Sequence, residues 1–223
     1  MCIRDSLLLA KFNAWQPGVF ALSAWDLLGS LPIPQDEVAD LIASGDTRWV
    51  HRGAHDLLGS DPDATTSSSG MPRGRSLYGD LPTQLQDPDS FASGLRSVLQ
   101  LRTESGVAVA SQVDVPDVGH PGMLVLVHRL DAGDAAADAQ IQLTVLNFTG
   151  EPILATVRSE FLPPRSTVRD AATGEQIGMV DDLSSFPMQL EPWAGHFLLL
   201  EPEIVEPDPE SEEDPEGETE SGE

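Results

Sequence analysis

The sequence predicts an α+β chain in three parts: the last strand–loop–helix unit of a (β/α)8 barrel, an antiparallel β-sandwich and a disordered acidic tail. Three observations carry this. Apolar residues recur at helical spacing up to Gly106 and alternate with a period of two beyond it. Turn signals then separate short strands with no helical stretch between them. From Glu201 onward the chain is acidic and lacks aromatic residues. The expected boundaries are 7–106 for the barrel unit, 107–200 for the sandwich and 201–223 for the tail, with residues 1–6 set apart.

Those first residues, MCIRDS, read as the in-frame translation of a sequencing-library adapter, because an uncapped apolar segment follows them abruptly. Leu7 to Trp15 then reads as the end of a helix, stopped by Gln16-Pro17-Gly18. Val19 to Leu22 is a short apolar run, the pattern of a strand buried on both faces. Trp25-Asp26 follow at its C-terminal end, the end of a barrel strand where ligands bind. Gly29 to Gln86 is loop-rich, with one helix expected over Gln35 to Ala43 on Val38, Leu41 and Ile42. So long an excursion is usually functional or disordered, and its aromatic and charged residues favour the first. Asp87-Pro88 suits a helix start, with Asp as N-cap and Pro at the first turn. Phe91, Leu95, Val98 and Leu99 give that helix an apolar face, and Gly106 ends it.

In the second part, Met123 to Val127 is a continuous apolar strand. Ile141, Leu143 and Val145 alternate with Gln140, Gln142 and Thr144, and Phe186, Met188 and Leu190 repeat the pattern. Phe197 to Leu200 closes the sandwich. Turns are expected at Asp131 to Asp138, Thr149 to Pro152, Pro163-Pro164, Thr173-Gly174 and Pro192 to Gly195.

Charge and cysteine content exclude several classes. The formal net charge is −25, with twelve acidic and no basic residues after Leu200. The rest of the chain still carries 25 acidic against 12 basic residues, which argues against nucleic-acid binding. A single cysteine, Cys2, excludes a disulfide framework and Cys-based zinc sites. The apolar stretch from Phe12 to Leu31 is interrupted by Asn13, Pro17-Gly18 and Asp26 and is no membrane span. Without a signal-peptide pattern, a cytoplasmic setting is expected.

The blocks FNAWQPGVFALSAWDLLGSLPIP, GDTRWVHRGAHDLLG, MPRGRSLYGDLPTQL and DPDSFASGL resemble, in order and spacing, the last barrel segments of trehalose synthases. That family lies in the α-amylase superfamily, glycoside hydrolase family 13. Ala24 stands where the family pattern has Gly. The blocks GMLVLVH, LTVLNFTGEP, VDDL and LEPWAGHFLLL resemble the superfamily's C-terminal sandwich.

The resemblance implies a parent enzyme that isomerises maltose to trehalose by retaining intramolecular glucosyl transfer. The family's nucleophile, acid/base Glu and stabilising Asp lie on earlier barrel strands. No catalytic residue therefore maps onto this sequence, and Asp26, Asp46 and Asp56 are not candidates. It implies no cofactor and no metal, a maltose or trehalose ligand as partner, and leaves the oligomeric state open.

Four residues are the expected substrate-binding positions. Trp25 would stack on a pyranose ring and Asp26 would bind hydroxyls. Arg48 and Trp49, in the following loop, would line or roof the pocket. The alternative is a buried Trp25 beside a capping Asp26, and an ion-paired surface loop around Arg48, His51 and Arg52. His51 and His55 are four apart, but the intervening Gly53 and the absence of a zincin glutamate argue against a metal pair. His128 and His196 read as ordinary sandwich residues, and Asn147-Phe148-Thr149 as a strand end rather than a glycosylation site. Two further readings stay open: another transglucosylating or hydrolysing superfamily member, and a stand-alone carbohydrate-binding sandwich.

Overall fold

The computed structural model describes residues 3–130 and 139–203; the Asp131 to Asp138 turn and the tail from 204 onward lie outside the described residues. The N-terminal part contains α1 (Ile3–Ala14), α2 (Ala24–Leu28), α3 (Ala39–Ile42), α4 (Leu81–Gln86) and α5 (Phe91–Ser105). A 3-10 turn, Gln35–Val38, runs into α3, so the expected helix over Gln35 to Ala43 forms as two short turns. Another 3-10 turn spans Thr47–His51.

The expected helix ahead of Gln16 is present, and it holds more tightly than its sequence explains. The Arg102 guanidinium, reaching across from α5, donates to the carbonyls of Ala14, Gln16 and Gly18. These are the unsatisfied carbonyls of a helix end and its following turn. The Gly18 N–H in turn donates to the Ala108 carbonyl at 2.8 Å.

Two expectations fail here. Val19 to Leu22 forms no strand: Val19 is 99% exposed and Leu22 39% exposed. No strand among the described residues lies beside the segment to accept its ladder hydrogen bonds, and an extended segment without that ladder is only irregular chain. The barrel unit is therefore represented by helices and a long loop without a barrel strand. The helix expected at Asp87 instead begins at Phe91, with Ser90 as N-cap accepting from the Ser93 N–H at 3.2 Å. Asp87 already terminates α4, whose own cap is Asp80. Gly106 does end α5, in the left-handed region at φ 70°.

Beyond Gly106 the period-two pattern becomes a sandwich. The strands are β1 (Ser111–Asp114), β2 (Met123–Arg129), β3 (Ile141–Asn147), β4 (Ile153–Arg158), β5 (Thr167–Asp170), β6 (Gln176–Met179), β7 (Ser185–Leu190) and β8 (Gly195–Glu201). They form a six-stranded sheet of order β1-β2-β3-β8-β5-β6 and a two-stranded sheet β4-β7, all antiparallel. The inner core packs Val125, Val127, Leu143, Val145 and Leu198 of the large sheet against Val157, Phe186, Met188 and Leu190. Asn147 closes β3: its side-chain nitrogen donates to the carbonyls of Glu151 and Glu191, while its oxygen accepts from Thr149. It is a buried strand end.

The strand β3 is not half-exposed as its alternation suggests, because every residue of it is buried. Its polar face meets the helices. A second core of Ala14, Trp15, Val98, Val107, Leu130 and Phe197 joins α1 and α5 to the outer face of the large sheet. The buried polar groups there are connected in series. His128 Nδ1 donates to Gln142 Oε1 at 2.6 Å, Gln142 Nε2 donates to Thr144 Oγ1 at 3.0 Å, and Thr144 donates to the Trp15 carbonyl at 2.9 Å. The molecule is thus three layers: helices, large sheet, small sheet. Among the described residues no helix is long and apolar enough to cross a membrane.

Candidate functional site

After Gly29 the chain returns alongside residues 75–78, and this pairing builds one wall of a cavity. The N–H groups of Leu77 and Tyr78 both donate to the Leu28 carbonyl, at 3.2 and 3.0 Å. The Leu31 N–H donates to the Arg75 carbonyl at 2.8 Å. Gly29 sits in the left-handed region at φ 57°, and a Cβ there would lie 2.5 Å from the Tyr78 ring. Only glycine permits both the turn and the close approach. Tyr78 is fixed further by stacking on Phe91 at 4.9 Å between ring centroids and by a 2.7 Å hydrogen bond to the Ser6 hydroxyl.

The cavity occupies about 770 Å³ and is lined by Asn13, Phe20, Trp25, Asp26, His51 and Tyr78, among others. Trp25 is held edge-on by two imidazoles, with ring centroids 5.2 Å from His51 and 5.9 Å from His55. His55 is itself anchored by Ser30 Oγ at 3.1 Å, and burial pushes its pKa down. Asp26 closes a capping box at the start of α2: its Oδ2 accepts from the Ser23 N–H and hydroxyl, both at 2.9 Å. Its Oδ1 accepts no hydrogen bond among the described residues and is open to a ligand.

The four expected positions divide into two pairs. Trp25 and Asp26 line the cavity; Arg48 and Trp49 do not. Arg48 is exposed and forms a two-pronged ion pair with Asp46, at 2.7 and 2.9 Å, and Arg52 adds a third contact to the same carboxylate. The side-chain hydrogen bond from Arg48 holds the Asp46 carboxyl down at about 2. The Arg52 guanidinium lies 5.6 Å from the Trp49 ring centre. This is the ion-paired surface loop that the sequence left as the alternative.

His51, expected in that surface loop, instead reaches the cavity wall. Tyr78, Phe20 and Asn13 were not singled out in sequence. The conjunction of Gly29 with the only tyrosine in the chain was the available signal for Tyr78. Among the described residues, no cluster of three or more His, Cys, Asp or Glu is placed to hold a metal ion.

No protein-family profile and no curated protein matches the sequence. Solved structures do match the fold. The trehalulose synthase MutB from Pseudomonas mesoacidophila MX-45 aligns with a TM-score of 0.60 at 17% identity, covering 89% of this chain and 38% of its own. The isomaltulose synthase from Erwinia rhapontici NX5 aligns equally well, with a TM-score of 0.60, 17% identity and the same two coverages of 89% and 38%. Amy13B of Eubacterium rectale matches with a TM-score of 0.59 at 12% identity, over 89% of this chain and 34% of that one. The chain therefore carries the fold of little more than a third of these three proteins.

Proposed function

We propose that this chain is the C-terminal part of an α-amylase-superfamily enzyme that transfers a glucosyl unit within a bound disaccharide, and specifically of a trehalose synthase acting on maltose. The observation that carries the reading is the cavity in which Trp25 and Asp26 meet, in a fold shared with sugar-isomerising synthases. A tryptophan wall beside a carboxylate with one free oxygen is the pairing that binds a pyranose: the ring stacks and the hydroxyls donate. Trp25 is immobilised by His51 and His55, so little side-chain entropy is lost on binding.

In this reading the retaining chemistry is supplied by carboxylates upstream of this segment. The chain contributes a pocket wall and the supporting sandwich. Arg48 and Trp49 serve as an outer rim that meets substrate only when the complete pocket is assembled. Isomerisation without hydrolysis requires exclusion of water, and in this reading the long loop after Gly29, which lends Leu31, Pro32 and His51 to the cavity wall, serves that end. The setting is cytoplasmic and the reaction uses no cofactor.

A second reading is a sucrose-converting isomerase, because a variant of MutB, one of the fold neighbours, was solved in complex with its substrate sucrose. The test is to express the reading frame with its upstream extension and supply maltose and sucrose separately. Trehalose from maltose, with little free glucose, supports the first reading; conversion of sucrose alone supports the second. Hydrolysis alone, giving only glucose from maltose and only glucose with fructose from sucrose, excludes both. In the active enzyme Trp25→Ala is expected to raise KM for the disaccharide by about tenfold, the loss of one stacking aromatic.

A further inference from the structure

The segments 28–31 and 75–79 contribute different residues to two separate cavities. Ser30, Leu77 and Tyr78 line the first, while Leu28, Ser76 and Gly79 line the second, of about 790 Å³. The second is built by the long loop itself. The Ala54 N–H donates to the Pro72 carbonyl and the Arg73 N–H to the Thr65 carbonyl, both at 2.8 Å. Asp56 accepts from the N–H groups of Ser60 and Asp61 at 3.0 and 2.8 Å, and Asp80 caps α4. Those two carboxylates are occupied in holding the loop.

Other polar groups around this cavity are only partly occupied. Arg73 Nη1 donates to the Asp61 carbonyl and lies 3.5 Å from Asp56, which holds the guanidinium at the cavity wall. Arg75, Glu37 and Asp63 are also lining residues, and their side chains make no hydrogen bond or ion pair among the described residues. Thr65 and Thr66 complete the lining.

We propose that this second cavity is a binding site for a neutral saccharide, a hexose or disaccharide, separate from the Trp25 cavity. The donor and acceptor pattern selects that class. A simple anion attracted to Arg73 and Arg75 meets Glu37 and Asp63, and a simple cation meets the two guanidinium groups. A vicinal diol donates to the carboxylates and accepts from the arginines at once, with no charge to desolvate. The volume falls within the range of about 300–1,000 Å³ typical of small-ligand pockets. The inference stands whether or not Trp25 binds substrate.

The test is an NMR titration of the 15N-labelled full chain with maltose, with trehalose and with inorganic phosphate. With at least one of the sugars the amides of Thr65, Thr66 and Gly79 are expected to shift and saturate, in the native chain and equally in a Trp25→Ala variant. Arg75→Gln combined with Thr65→Val should weaken that binding by roughly tenfold without lowering the melting temperature, since Arg75 is exposed and unpaired. Sugar shifts confined to Ser30 and Tyr78, no sugar shifts at all, or second-cavity shifts with phosphate alone would each overturn the proposal. Loss of the Ser30 and Tyr78 shifts alone in Trp25→Ala bears on the first cavity and leaves the second standing.

Discussion

Arg102 and His128 are single side chains that tie the helices together and the helices to the sheet. Arg102 gathers three carbonyls at the end of α1. An Arg102→Ala change leaves those carbonyls without their charged donor and is expected to cost about 2–3 kcal/mol, measured as a lower urea midpoint with an unchanged slope. His128 is fully buried, and burial pushes its pKa down despite the hydrogen bond with Gln142. The depressed value means the unfolded chain takes up this proton first. Stability is therefore complete above the unfolded imidazole value of roughly 6.5 and declines as pH falls below it, by at most about 1.4 kcal/mol per pH unit. Urea unfolding at pH 7.5 and 5.5 should show that decline, and His128→Gln should flatten it. A pH response unchanged in the variant would assign the effect to other groups.

At the scale of elements, the start of α5 separates two adjacent capping signals. Asp87-Pro88 has the better sequence pattern, yet Ser90 does the capping, because Gln84 already draws the chain into place. The buried Gln84 side chain donates to the Leu27 carbonyl at 2.9 Å and accepts from the Ala92 N–H at 3.1 Å. That forces α4 to end at Gln86 and leaves Asp87 in the connection. Ser90→Ala is expected to destabilise by about 1 kcal/mol and Asp87→Ala by a few tenths, compared by thermal melting. Equal losses at both positions would contradict the assigned cap. The fate of Val19 to Leu22 follows the same logic: a strand's identity lies in its neighbours, and an apolar tetrapeptide specifies only that it wants burial.

That want of burial is visible across the whole molecule. Leu9, Val19, Leu22, Leu77 and Leu85 are all substantially exposed, and they cluster around the first cavity and its neighbouring groove. A contiguous exposed apolar surface of this kind marks an interaction face or an aggregation liability. Replacing Val19 and Leu22 together by Asp is expected to raise the soluble yield of the chain and reduce ANS fluorescence, with no loss in melting temperature. A fall in melting temperature would mean that these side chains are needed by the fold as it stands.

The sequence alone determined the change of period at Gly106, the antiparallel sandwich and the end of α1, because alternation, turn residues and Pro-Gly breaks act over a few neighbouring positions. It also brought Trp25 and Asp26 forward as a pair. Tertiary structure decided which of the proposed site residues share a cavity: His51 and Tyr78 join Trp25 there, while Arg48 and Trp49 turn to Asp46 and Arg52. It likewise decided that β3 is buried on both faces, since Gln142 and Thr144 read as solvent-facing until Trp15, just past the end of α1, supplies its carbonyl. The physical reason is the same in each case. Local preference is written in spacing, whereas burial and hydrogen-bond partners depend on residues as far as 184 positions away in the chain, the separation of Lys11 from the Gly195 carbonyl it bonds, and no local pattern encodes that distance.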